Sequence, residues 1–203
     1  MTAIHAVVME IAIPAGALGP DPVTVDVRAH LVPHATGLLL VDTGMDADGA
    51  ALDATLDEIS ATWSDVSHVV ITHGHPDHVG GLDHVRAVAP HARVLAHPEE
   101  RVPDAEPLAD QQVVGPLRAI ATPGHTAEHL SFLHEDANTL FVGDCLGTVG
   151  GRVNRAPRPF TADVDQAERT LHDLLRFRDA RMIFAHGPEV ADPWDQLDRL
   201  LAA

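Results

Sequence analysis

Apolar runs broken by glycine, proline and acidic residues recur along the 203-residue chain, and their periods assign strands and helices in alternation. Residues 4–13 and 23–32 read as strands joined by a Pro/Gly-rich loop at 14–22. Gly37 introduces a buried strand, Leu38-Leu-Leu-Val41, that ends in Asp42-Thr-Gly. Leu52, Leu56 and Ile59 share one face of an amphipathic helix over 48–60. A β-branched strand at 69–72 then runs into a helix whose Leu82, Val85 and Val88 keep helical spacing. A short strand occupies 93–96, and the acidic, proline-bearing stretch 98–112 is a surface loop. Strands are expected at 117–122, 129–133 and 139–142, with a hairpin turn at 135–138. A Gly/Arg/Pro-rich loop covers 145–160. Asp163 caps a helix through Phe177, 182–185 is a last strand and 193–201 a last helix. No repeat, low-complexity tract or linker divides this alternation, so residues 1–203 are expected to form a single domain.

One junction carries unusual chemistry. In "THGHPDHVGG", residues 72–81, three histidines and an aspartate fall where the apolar strand turns into the next helix. Gly74 permits a sharp turn, and Pro76 suits a first helical turn. Side chains at i, i+2, i+4 and i+5 on such a turn can converge, whereas a strand would alternate them. Three further metal-capable side chains stand on turns leaving strands: His125 in "TPGHT", Asp144 in "FVGD" and His186 in "FAHG". Alone, His125 or His186 would more often be structural. Together with the 72–81 turn they suggest one complete metal site at the ends of a sheet layer.

Charge narrows the partners. Thirteen basic residues, all arginine, stand against thirty acidic ones, for a net charge of −17. That balance argues against nucleic acid or an anionic membrane, since phosphate binding needs clustered cations. No run reaches the length of a membrane span, and Glu10 interrupts an N-terminal stretch without the basic start of a signal peptide. The single cysteine, Cys145, excludes an internal disulfide and fits a reducing compartment; the expected location is the cytoplasm.

The order of these motifs resembles the metallo-β-lactamase-fold hydrolase superfamily. The signature His-x-His-x-Asp-His, followed by a later His, Asp and His, is matched by His73, His75, Asp77, His78, His125, Asp144 and His186. "VDTG" at 41–44 and "GG" at 80–81 extend the resemblance over nearly the whole length. The resemblance implies an α/β (α+β) fold, a four-layer αββα sandwich. It implies that His73, His75 and His125 hold one metal, that Asp77, His78 and His186 hold a second, and that Asp144 bridges them. The cofactor expectation is two Zn2+, with iron or manganese as alternatives.

Donor chemistry agrees with that assignment. Three neutral imidazoles leave a zinc an open position for water, as in catalytic sites. A shared carboxylate offsets repulsion between two dications, and a water bridging them would ionise near neutral pH to a hydroxide nucleophile. The catalytic carboxylates on this reading are Asp77 and Asp144. Asp42 either orients a ligand or closes a turn before Gly44. Arg152, Asn154, Arg155 and Arg158 either clamp a substrate carboxylate or are exposed and paired with nearby acids. His97, His129 and His134 are assigned structural roles, and Cys145 is expected to be a small buried hydrophobe.

Departures from known branches limit the substrate. The chain has no lysine to hold a β-lactam carboxylate and no tyrosine of the kind lactonases place beside the metals. Only about fifteen residues follow Gly187, too few for the basic C-terminal helical domain of glyoxalase II-type thioesterases. "GHTAEH" with "GDCLG" resembles an endoribonuclease-related branch, but the charge argues against RNA. The expected function is a dinuclear zinc hydrolase of a small ester, thioester or lactone, with a small molecule as partner and a homodimer left open. The alternatives are a mononuclear iron persulfide-dioxygenase-like enzyme, a glyoxalase II-like thioesterase, a β-lactamase, a ribonuclease, or a non-catalytic metal-binding protein.

Overall fold

The computed structural model describes residues 3–17 and 19–202; the N-terminal Met1 and Thr2, Leu18 of the 14–22 loop and Ala203 lie outside it. The chain resolves into two compact units. One comprises Met1–Ile11 and Asp26–Ala109, the other Ala12–Val25 and Asp110–Ala203.

The first sheet holds six strands in chain order: β1 (His5–Ile13), β2 (Val23–His34), β3 (Gly37–Val41), β4 (Val66–Val70), β5 (Arg93–Ala96) and β6 (Glu106–Pro107). β2 and β3 are antiparallel, and β3 through β6 run parallel. Every residue of 38–41 is buried, as a parallel strand covered on both faces requires. The connections carry α1 (Ala50–Glu58), the single turn α2 (Pro76–Val79) and α3 (Leu82–Val88). Leu52 and Leu56 of α1 and Leu82 and Val85 of α3 join Val7, Leu31, Leu38, Leu40 and Val69 in one apolar cluster.

Three expectations shift here. The helix placed at 48–60 starts at Ala50, because Asp46 and Asp48 accept hydrogen bonds from the amides of Ala51 and Ala50. Val88 closes α3 but is 39% exposed, so the apolar face ends one turn earlier. The stretch 98–112 also contains an edge strand, β6, which is too short and too acidic to show a strand period.

The second unit has a five-stranded sheet: β7 (Val113–Val114), β8 (Leu117–Ala121), β9 (Leu130–His134), β10 (Thr139–Phe141) and β13 (Arg181–Ile183), in the order β13-β10-β9-β8-β7. Only β10 and β13 pair in parallel. α4 (Val164–Leu174) lies between them in sequence, and α5 (Pro193–Leu201) follows. Asp163 caps α4 as expected, its Oδ1 accepting from the Gln166 amide at 2.8 Å. Leu171, Leu174, Trp194 and Leu197 pack with Leu140, Met182 and Phe184.

The segment 145–160, expected as loop, contains a hairpin of β11 (Leu146–Val149) and β12 (Arg152–Arg155) turned at Gly150–Gly151. Burial alternates through Leu146, Thr148 and Val153, but glycine and arginine at the other positions hide the period in the sequence. Among the described residues, no helix is long and apolar enough to cross a membrane.

Candidate functional site

In the first unit the ladder continues past the strand ends, with Asp42 N donating to Val70 O and Ile71 N to Leu95 O. The chain then leaves the sheet as the 72–81 turn. His73 and His78 are fully buried, while His75 and Asp77 are half-buried. The His73 ring lies 4.6 Å from that of His75 and 4.0 Å from that of His78, centroid to centroid. Nitrogen atoms of His73 and His75, and of His73 and His78, lie within 4.8 Å of each other, as do ligating atoms of Asp77 and His78. The spacing read from the sequence does gather these side chains.

Asp42 organises this cluster. It is buried, with φ of 57°. Its Oδ1 accepts from Thr72 N at 2.7 Å, and its Oδ2 from Thr72 Oγ1 at 2.8 Å and from His78 Nδ1 at 2.8 Å. A carboxylate only accepts, so His78 carries its proton on Nδ1 and presents the Nε2 lone pair for ligation. The Thr72 hydroxyl proton is directed at Asp42, so His73 Nδ1, 3.0 Å from Thr72 Oγ1, must be the donor there too. Thr72 and Asp42 thus set both tautomers. Thr43 holds the His78 carbonyl through its amide and hydroxyl.

Between the first two histidines, Gly74 N donates to Glu100 Oε2 at 2.8 Å. A Cβ on Gly74 would meet Glu100 O at 2.5 Å, so glycine is required here for close approach.

The second unit presents His125, Asp144 and His186 on three separate turns. Asp144 Oδ2 lies 3.3 Å from His125 Nε2 and 3.4 Å from His186 Nε2. His125 follows β8 in a turn seated against the start of α4. Asp163 N and Ala162 N donate to the carbonyls of Gly124 and His125, and Thr170 Oγ1 donates to Pro123 O. Gly124 has φ of +135°, and a Cβ there would stand 2.3 Å from Ala167 N. Gly124→Ala should therefore cost about 2–4 kcal/mol of stability and displace His125, checked by thermal melting and metal content. His186 is held by Thr148 N donating to its carbonyl at 2.8 Å. Asp144 follows Gly143, whose φ of +54° turns the chain out of β10.

Other candidates fall into place by contact. Arg155 sets its fork on Glu168 at 2.7 and 2.6 Å and also donates to Leu200 O at 2.9 Å. The guanidinium holds the Glu168 carboxyl below its ordinary range. Asn154 Nδ2 donates to Arg152 O, and Arg152 and Arg158 are exposed. His97 and His134 accept backbone amides in their own turns. Cys145 is buried, and desolvation pushes its thiol up to about 11. Thr72 and Glu100 escape sequence reading. Thr72 differs from other threonines only by its partner 30 residues earlier, and Glu100 sits 26 residues beyond the turn it holds.

A mixed α/β scaffold with histidine and aspartate on the turns leaving its strands defines a class of metal-binding fold. The sequence model of the metallo-beta-lactamase superfamily matches residues 24–118 and 108–186, and the chain belongs to that superfamily. A Caenorhabditis elegans protein named Beta-lactamase-like protein 2 homolog is 28% identical over 90% of this chain and 63% of its own length. Thioesterase pkgB of Emericella nidulans is 34% identical over 72% of this chain and 44% of its own. Hydroxyacylglutathione hydrolase of Rhodopseudomonas palustris is 35% identical over 64% and 56%. The chain thus spans less than two thirds of the length of these relatives.

The mono-zinc form of the metallo-beta-lactamase FIM-1 from Pseudomonas aeruginosa superposes with TM-score 0.75 at 20% identity, over 99% of this chain and 92% of that one. A di-iron-bound form of TTHA1623 gives 0.66 at 23%, over 89% and 92%. The fold class expected from the sequence, α/β of the metallo-β-lactamase type, is the one found.

Proposed function

We propose that the chain is a metal-dependent hydrolase that takes two divalent ions, zinc first, and cleaves a small thioester. The observation that carries this reading is the placement of Asp144 Oδ2 at 3.3 and 3.4 Å from two imidazole nitrogens on other turns. The donor set fits such ions: neutral imidazoles and carboxylates suit zinc, iron and manganese. On this reading His73, His75 and His125 hold one ion, Asp77, His78 and His186 the other, and Asp144 serves both.

Bound, the ions would polarise the scissile carbonyl and lower the pKa of water. The chain's own part is preparation. Thr72 and Asp42 hold the proton of each neutral ring on Nδ1, which leaves Nε2 of His73 and His78 as the ligating nitrogen. Asp144 brings negative charge where two cations would otherwise repel, and Asp77 adds a second carboxylate. The acidic chain disfavours polyanionic substrates. Of the arginines in 145–160, Arg152 and Arg158 are exposed and would be the ones to meet a substrate carboxylate, whereas Arg155 is held by Glu168.

Thioesters are favoured over oxygen esters and lactones because two of the three relatives bear the names of a thioesterase and of a hydroxyacylglutathione hydrolase. Elemental analysis of the purified protein should give close to two transition-metal ions per chain. kcat/KM on an acyl thioester should exceed that on the matching oxygen ester or lactone by about tenfold or more. Protein to which no metal can be restored, or iron-bound protein that consumes oxygen with a persulfide, would overturn the hydrolase reading.

A further inference from the structure

Behind Asp144 lies a chain of buried polar groups anchored at both ends on the Val142-Gly143-Asp144 turn. Asp144 N donates to His129 Nε2 at 3.0 Å. A backbone amide only donates, so that nitrogen is an acceptor and the neutral ring carries its proton on Nδ1. His129 Nδ1 lies 2.8 Å from Thr122 Oγ1 and must donate to it. At the far end Ser131 Oγ donates to Val142 O at 3.2 Å, a carbonyl that only accepts. Thr122 Oγ1 and Ser131 Oγ stand 2.9 Å apart and join the two halves of that chain. The four bonds link the Asp144 amide to the Val142 carbonyl and so close a ring around Val142-Gly143-Asp144. His129, Thr122 and Ser131 are all buried, and Cys145 Sγ packs against them at 3.7–3.8 Å.

We propose that His129 is a positioning residue for Asp144. By accepting the Asp144 amide it fixes the backbone at φ −94° and ψ 19°, from which the carboxylate reaches both His125 and His186. Those dihedrals fall in the sparsely populated bridge region, which persists only when neighbouring groups over-determine it. With Gly143 at φ +54° just before it, the turn has little conformational preference of its own. The ring supplies the restraint from both sides, through the Val142 carbonyl and the Asp144 amide. The role rests on the reading of Asp144 as a metal ligand. Histidine suits the place because its two ring nitrogens accept at one end and donate at the other, and acceptance of the Asp144 amide is the part that positions the carboxylate.

The test compares three variants of the full chain reconstituted with zinc. In His129→Gln the side-chain oxygen stands near the place of Nε2 and can accept the Asp144 amide. In His129→Asn the shorter amide reaches only the place of Nδ1. Zinc affinity, measured by competition with a chelator, should fall about 10–100-fold in His129→Asn and stay within about threefold of the parent in His129→Gln. Nitrogen-15 spectra of histidine-labelled parent protein should show His129 protonated on Nδ1 and not on Nε2.

Asp144→Ala separates the two readings. If it binds zinc like the parent, the assignment of Asp144 fails. If it loses zinc while His129→Asn retains it, the positioning role fails alone. Equal losses in the glutamine and asparagine variants, or an Nε2 proton on His129, would also overturn the proposal. Should His129→Asn not fold, the glutamine variant and the tautomer decide the matter.

Discussion

Asp144→Ala should lose most of its bound metal and lower kcat/KM by more than the roughly 100-fold that marks the upper range for residues outside a metal's ligand shell. Asp144 Oδ2 is within 3.4 Å of nitrogens from two histidines, and its side chain is only 9% exposed. On the two-ion reading, removing the carboxylate deletes one oxygen donor and the negative charge that would offset the repulsion between the ions. Asp144→Asn keeps the volume but not the charge, and should fall close to the alanine variant rather than close to the parent. Cys145→Ala is the matched control one residue away. Its sulfur makes only long contacts of 3.7–3.8 Å, so metal content and turnover should stay within about threefold of the parent, at a stability cost of about 1 kcal/mol. Metal analysis and kinetics on the same preparations check both. Equal losses at 144 and 145 would mean that packing around the turn, not the carboxylate, is what matters.

What could be seen in the sequence follows a physical rule. Side chains on a turn that leaves a buried strand are legible when glycine or proline marks the turn and the strand before it is apolar. His73, His78, His125, Asp144 and His186 all meet that condition, and within each unit the structure gathers them. The helix opened by Pro193 runs 193–201 as its period requires. The β11–β12 hairpin breaks the rule, because its inward positions are few and its outward ones carry arginine and glycine. Nothing in "GHTAEH" tells that the partner of His129 is a backbone amide 15 residues later, so the sequence points only to a structural role there. Glu100 is invisible for the same reason. Local pattern reports which face is buried; it does not report which buried polar group meets which.

Asp42 tests that distinction most sharply. Asp42→Ala should lower the stability of the chain by about 4–10 kcal/mol, because three buried donors lose their acceptor. These are Thr72 N, Thr72 Oγ1 and His78 Nδ1, and each orphaned buried group costs about 1–3 kcal/mol. Alanine also fits poorly at φ of 57°, which adds about 1 kcal/mol. Against a total stability of about 5–15 kcal/mol for a typical protein, this is a large fraction, and the melting temperature should fall by roughly 10 °C or more. Asp42→Asn should behave differently. Asparagine tolerates the left-handed backbone, and its oxygen can still accept from Thr72 N. Its amide group would then face His78 Nδ1–H, donor against donor, and the ring must turn or shift its proton to Nε2, the ligating position. The asparagine variant should therefore keep much of the thermal stability and lose metal affinity about 10–100-fold, a split that melting curves and chelator competition read separately. If both variants lose stability and metal in the same proportion, Asp42 only closes a turn before Gly44, and its contact with His78 sets nothing.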